Sequence, residues 1–120
     1  MQIENIKEKK TMKVTLTGFP KPEVTNNGAD VFKEYLNQID PSTYSLLFDC
    51  SDLGVFKPDL VPVVEKLFRL YDGANFRHLV FIKPKGFIQD SQLKRIARSI
   101  NDFSGVFVDT DVEAMDICDS

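Results

Sequence analysis

The chain contains no tryptophan, a single histidine and two cysteines, and each scarcity narrows the chemistry open to it. Nucleophilic catalysis needs a nucleophile with a base in hydrogen-bond reach. His78 stands beside the apolar run of a buried strand, where a lone histidine is ordinarily structural, so no catalytic residue is expected. A zinc site takes about four Cys, His or carboxylate ligands at workable spacing. His78 with the widely separated Cys50 and Cys118 supplies no such set, so neither a metal site nor a cofactor is expected. Two cysteines outside any CxxC pattern make no disulfide framework and favour a reducing compartment. The sequence has no GxxxxGK[ST] and no GxGxxG, which leaves out both phosphate-binding loops. No apolar run approaches the ~18 residues of a membrane span, and "MQIENIKEKK" lacks the apolar region of a signal peptide.

Positive charge is also limited. The formal net charge is −3 and the sequence pI about 5.1, which argues against a nucleic-acid partner. Beyond Arg98 there is no Lys or Arg, while Asp102, Asp109, Asp111, Glu113, Asp116 and Asp119 follow. This segment is either a solvated acidic tail or one pole of a surface that orients a partner electrostatically. The expectation is a soluble, cytoplasmic protein with no membrane span.

What remains is ordinary globular composition. With 120 residues, 42% of them hydrophobic and 28% charged, the chain suffices for one domain, residues 1–120, with a genuine core. Ile3 to Glu8 and Met12 to Thr17 alternate with period two and predict a hairpin with one buried face. "GFPKPEVTNNG" from Gly18 is dense in turn residues and predicts a loop. From Ala29, Phe32, Tyr35, Leu36 and Ile39 recur at helical spacing until "DPS" at Asp40. "YSLLFDC" (44–50), "RHLVFIK" (77–83) and "GVFVD" (105–109) are short apolar runs of the kind buried on both faces of a sheet. Between them lie two helical stripes. The first is Leu60, Val63, Val64, Leu67 and Tyr71. The second is Leu93, Ile96, Ala97 and Ile100, with Asp90 or Ser91 placed to cap it. "DVEAMDI" closes the chain as a short helix. Strands alternating with helices imply an α/β fold. The sheet is expected to be five-stranded, mixed but mostly parallel, opened by the hairpin and packed by about four helices.

Asp49 and Asp52 sit where ligand crevices form in open α/β sheets, at a strand end. A phospho-receiver site would also need an acidic pair after the first strand, and "TGFPKP" offers none. Asp49 is therefore expected to serve as a turn cap accepting backbone N–H bonds.

Three stretches carry a family resemblance. "MKVTLTG" looks like a second strand closing on a glycine, and "YSLLFDCSDLGVF" like a central strand followed by Asp-x-Ser and an apolar pair. "VFVDTDVEAM" looks like a last strand with an acidic start to the final helix. Together they resemble the STAS fold of anti-sigma-factor antagonists, along nearly the whole chain. In those antagonists the next turn reads Asp-Ser-Ser-Gly, and a serine there is phosphorylated by a partner kinase. Here the matching residues are Lys57, Pro58, Asp59 and Leu60, with neither hydroxyl nor glycine, and Ser51 matches the earlier Asp-x-Ser position. The resemblance implies the scaffold and a tendency to bind proteins, without the phosphorylation switch.

The residues of "VFKPDLVPVV" also have a purely structural reading. Asp59 would be the N-cap of the helix, Pro62 would fall in its first turn, and Pro58 would keep Lys57 out of helical conformation. Alternatively Asp59 supplies permanently the charge that a phosphoserine would supply. Val61 and Phe68 lie off the main helical stripe, and Phe87 and Ile88 fall in the loop after the fourth strand. These residues frame three expectations. The first is a protein-binding face of Lys57, Pro58, Asp59, Val61 and Phe87. The second, which other STAS-like proteins suggest, is a pocket for an apolar small molecule or lipid near Phe56, Phe68 and Phe87. The third is self-association as a structural subunit of a larger assembly, such as a phage or mobile element encodes.

Overall fold

The computed structural model describes the backbone of residues 1–120 and the side chains of all but residues 22–26. Its elements run β1 (Gln2–Ile6), β2 (Thr11–Gly18), α1 (Pro22–Leu36), β3 (Ser45–Leu53), α2 (Val61–Gly73), β4 (His78–Ile82), α3 (Phe87–Arg98), β5 (Val106–Val108) and α4 (Asp111–Cys118). The five strands lie in one sheet in sequence order, with β1 antiparallel to β2 and every later pairing parallel. The fold is the mixed, mostly parallel α/β sheet that the alternation of periods implies.

Strand order never reverses, so successive crossovers keep to one side. Residues of α1, α2 and α3 join one core cluster, built on Met12, Leu46, Phe48, Leu79 and Phe81. Only α4 covers the other face, where Leu47, Val80, Ile82 and Val108 meet Ala114 and Cys118. The three-helix face is aromatic for a reason that register makes plain. Phe48 pairs with Phe81, and Phe81 with Phe107, across three neighbouring strands. Their rings stack with centroids 5.1 and 5.0 Å apart, close to the ~4.8 Å spacing of the strands themselves. On β2 the same row ends in Val14.

Several boundaries differ from the sequence-based expectation. Helix α1 begins at Pro22, so the turn-rich stretch from Gly18 to Gly28 is mostly helix. A proline in the first turn lacks only an N–H that would have had no partner there. That helix also ends earlier, and Asp40 instead caps a short 3₁₀ turn (Pro41–Thr43) through the Ser42 N–H. The expected helix near 60 is preceded by another 3₁₀ turn (Pro58–Leu60). Lys57 is extended there, as Pro58 requires, but Asp59 caps nothing: it is exposed and its carboxylate accepts no capping bond. Helix α3 starts at Phe87, with Gly86 at its N-cap, so neither Asp90 nor Ser91 caps it. Asp90 lies in its first turn and pairs with Lys94 at 3.0 Å.

The acidic C-terminal stretch folds back on earlier lysines, in pairs Lys9–Asp119, Lys13–Asp111 and Lys83–Asp109. All are exposed at one partner or both, and each contributes at most about 1 kcal/mol. Much of the charge asymmetry of the sequence is thereby neutralised within the molecule.

The aromatic row should dominate stability. Phe81→Ala is expected to cost about 3–5 kcal/mol. Phe87→Ala, at a residue 83% exposed, should stay within about 0.5 kcal/mol. Urea-unfolding midpoints of the two variants check the contrast.

Candidate functional site

Beside Phe48, towards the C-terminal ends of β2 and β3, the core leaves a cavity of about 310 Å³. Its walls come from β3 (Phe48, Cys50 and Leu53), from α2 (Val64, Leu67, Phe68 and Tyr71) and from Phe81 beneath. Gly28 on α1 and Leu16 on β2 close one side, and Met1, Phe19 and Lys21 stand at the opening. The opening is at the C-terminal end of the parallel strands. This is the end at which α/β sheets take ligands, although no reversal of strand order creates a crevice here.

Local devices hold this region in shape. Between β2 and β3 the pairing passes from Thr15–Asp49 to Thr17–Asp52, two steps on one strand against three on the other. The extra residue re-aims β3, so Cys50 and Leu53 both face the helical core. Asp49 secures the bulge: its Oδ1 accepts from the Ser51 N–H at 3.0 Å and from the Ser51 hydroxyl at 2.7 Å. That is the turn-capping role expected of it. Gly18 ends β2 with φ of 72°, a left-handed conformation that favours glycine. Gly54 donates its N–H to the Gly18 carbonyl at 2.8 Å. A Cβ on Gly54 would lie 3.2 Å from that carbonyl, so a side chain there would press the two loops apart by a few tenths of an ångström.

Phe56 becomes a wall of the cavity because α3 fixes its backbone. The Gln92 side chain accepts from the Phe56 N–H at 3.0 Å and donates to the Phe56 carbonyl at 3.1 Å. Gln89, one turn earlier, donates to the Leu53 carbonyl at 3.0 Å. An amide that both donates and accepts acts here as a strand would, satisfying a loop that has no ladder partner. Sequence reasoning missed both glutamines. Their spacing of three in "QDSQ", on one helical face, was the available signal.

Of the residues expected to form a pocket, Phe56 and Phe68 line the cavity and are buried, whereas Phe87 does not line it and projects outward. Phe68 is therefore a core residue and not a surface one. Helix α2 carries more than one apolar stripe because the sheet lies beneath it and α1 and α3 flank it. Val61 is half-buried and packs against the same core. Phe87 and Ile88 belong to the first turn of α3 and not to a loop; they are 83% and 61% exposed. Lys57, Pro58 and Asp59 are exposed at the same end of the sheet.

Polar groups in the cavity wall are few, and burial pushes the Cys50 thiol up to about 12, helped by the Asp49 carboxylate. Burial likewise raises Tyr71 above its usual value of 10.0, with a smaller contribution from Cys50. Both are neutral at physiological pH, so Cys50 is no thiolate nucleophile. His78 is at the opposite end of the sheet, where its Nε2 lies 3.1 Å from the Ser120 hydroxyl. Cys118 is buried beyond the other face, so the two free cysteines are separated by the sheet. Among the described residues no three His, Cys, Asp or Glu side chains gather as metal ligands do, and no helix is long and apolar enough to cross a membrane.

Because an unfolded thiol ionises near 9.0 while folded Cys50 does so only near 12, folding holds the proton more tightly. Stability from this source is complete below about pH 9 and falls as pH rises from there towards 12. Urea midpoints should therefore drop between pH 8 and pH 10.5, and less so in Cys50→Ala; the Cys118 thiol and the Tyr71 hydroxyl, both also raised by burial, contribute to the remaining loss.

Comparison with family models and with curated proteins finds no match for this chain.

Proposed function

We propose that the chain is a non-enzymatic, cytoplasmic binding domain on a STAS-like scaffold, and that it holds a small apolar ligand in the cavity beneath α2. The observation that carries this reading is the cavity itself: about 310 Å³, walled by aromatic and aliphatic side chains and open at the C-terminal end of the strands. That volume is at the lower end of the ~300–1,000 Å³ range of small-molecule sites, and an apolar lining with few polar groups is their usual character. The scaffold part of the reading is supported by the leading hairpin, the parallel strands after it and the closing acidic helix. Lys57, Pro58 and Asp59 lack the hydroxyl of the antagonists' switch, which favours constitutive binding over a phosphorylation cycle.

A second reading draws on a separate observation. Phe87 and Ile88 are exposed side by side on α3, at the same end as Lys57, Pro58 and Asp59, and aromatic residues of this kind anchor protein partners. Val61 is half-buried and also packs on the core, so Asp59→Lys and Phe87→Asp, at exposed residues, are the variants least coupled to folding. If this face binds a protein, both should abolish its capture in a pull-down while circular dichroism stays unchanged. Capture that survives both variants rules the face out. Self-association as a structural subunit is a third reading, which light scattering across concentration would detect.

For the cavity, native mass spectrometry of the gently purified protein should show an added mass that is lost in organic solvent. Val64→Phe, which fills part of the space from a residue 6% exposed, should lose that mass while remaining folded. A clean protein mass in both samples, together with no uptake of small hydrocarbons, would sink the ligand-binding reading.

A further inference from the structure

Resting on that ligand-binding reading, we infer that the cavity takes an uncharged, ring-bearing molecule with one hydrogen-bonding oxygen, a phenol or cyclic ketone, whose oxygen pairs with the Tyr71 hydroxyl. The first ground is the hydroxyl itself. Tyr71 is partly buried against the core cluster, and a tyrosine hydroxyl in such a place ordinarily finds a hydrogen-bond partner in protein, water or ligand. Tyr71 lines the cavity, yet its hydroxyl makes no hydrogen bond among the described residues. Nor is that oxygen sealed off: Asp90 Oδ1 is the one fully occluded side-chain polar atom without a partner among them. The ring cannot easily turn to find another partner. Phe32 meets it edge-on at 4.8 Å, and Phe48 packs against it at 4.6 Å.

The second ground is what else the wall offers. Among the described residues no Asp or Glu lines the cavity, and the cationic groups of Lys21 and of the Met1 amino terminus belong to its opening. A charged ligand group placed deeper, against Phe48, Phe68 and Tyr71, would have no described counter-charge beside it, which is strongly unfavourable. A neutral tyrosine both donates and accepts, so a carbonyl and a hydroxyl are equally acceptable. Phe48, Phe56, Phe68 and Phe81 present aromatic surface on several sides, and offset or edge contacts favour a flat ring. At the ~30 Å³ that a water-sized group occupies, the space suits roughly ten heavy atoms, the size of a substituted ring and not of a long acyl chain.

Toluene and p-cresol differ by the single oxygen in question and serve as probes. Binding of each to the full chain and to Tyr71→Phe would be followed by the methyl NMR shifts of Val64 and Leu67. The expected result is that p-cresol affinity falls by roughly threefold to tenfold in Tyr71→Phe, the weight of one neutral hydrogen bond, while toluene affinity does not fall. If p-cresol binds both proteins equally, or if both probes weaken together, the hydroxyl assignment is overturned although the cavity still binds ligands. If neither probe binds the unaltered chain, the ligand-binding reading falls and takes this inference with it. Should Tyr71→Phe fail to fold, nuclear Overhauser contacts in the unaltered protein decide. Contacts from p-cresol to the Tyr71 ring support the pairing, and contacts confined to Met1 and Phe19 refute it.

Discussion

Everything on the helical face of this protein is arranged around one row of rings. Phe48, Phe81 and Phe107 stand side by side on β3, β4 and β5 because parallel register brings them level, and strand spacing then sets their stacking distance. A second tier lies over the row, with Phe68 of α2 packed on Phe81 at 5.0 Å and stacked on Phe103 at 5.6 Å. Side chains so large and so stiff cannot flow into neighbouring space. The row ends at Val14 on β2. The cavity lies beside Phe48, further along the strands, between Leu16 and Thr17 of β2, Cys50 and Leu53 of β3, and α2.

Its persistence depends on a frame that resists collapse. The bulge held by Asp49 and Ser51 turns Cys50 and Leu53 towards the helices. The paired glycines Gly18 and Gly54 lock two loops together, and Gln89 and Gln92 pin the segment that carries Phe56. Each device lies at the C-terminal end of the strands, where the cavity opens. The opposite end is closed by more conventional contacts, with the Ser45 hydroxyl and the Arg77 guanidinium both donating to the Cys118 carbonyl. The molecule is thus tied at one end and propped open at the other.

The architecture was largely legible in the sequence because it rests on periodicity. "YSLLFDC", "RHLVFIK" and "GVFVD" read as buried strands, and the hairpin and helical stripes fell where the hydrophobic patterns placed them. The site was less legible, since it depends on which side chains meet. The apolar excess on α2 singled out Phe68, and Phe56 lies just before that helix. Phe87 could not be separated from them, because one turn of helix start reads much like a loop and exposure is a tertiary property. Asp59 misled for a related reason: the two prolines favour a 3₁₀ turn, which displaces the true helix start to Val61 and leaves the carboxylate outside capping position. Gly18 to Gly28 misled because turn-forming composition was read as loop where a proline in fact opens a helix. The free hydroxyl of Tyr71 left no trace in sequence, where the residue is only one more member of an apolar stripe.

The most direct test of the central claim is xenon binding, because a preformed apolar cavity admits the gas without requiring any particular ligand. Methyl-resolved NMR under xenon pressure should shift Leu53, Val64 and Leu67, which line the cavity, and leave Leu47, Val80 and Val108 on the α4 face unchanged. Shifts absent from the first group, or equal in both groups, would contradict the account and mean that the core beside Phe48 is filled in solution.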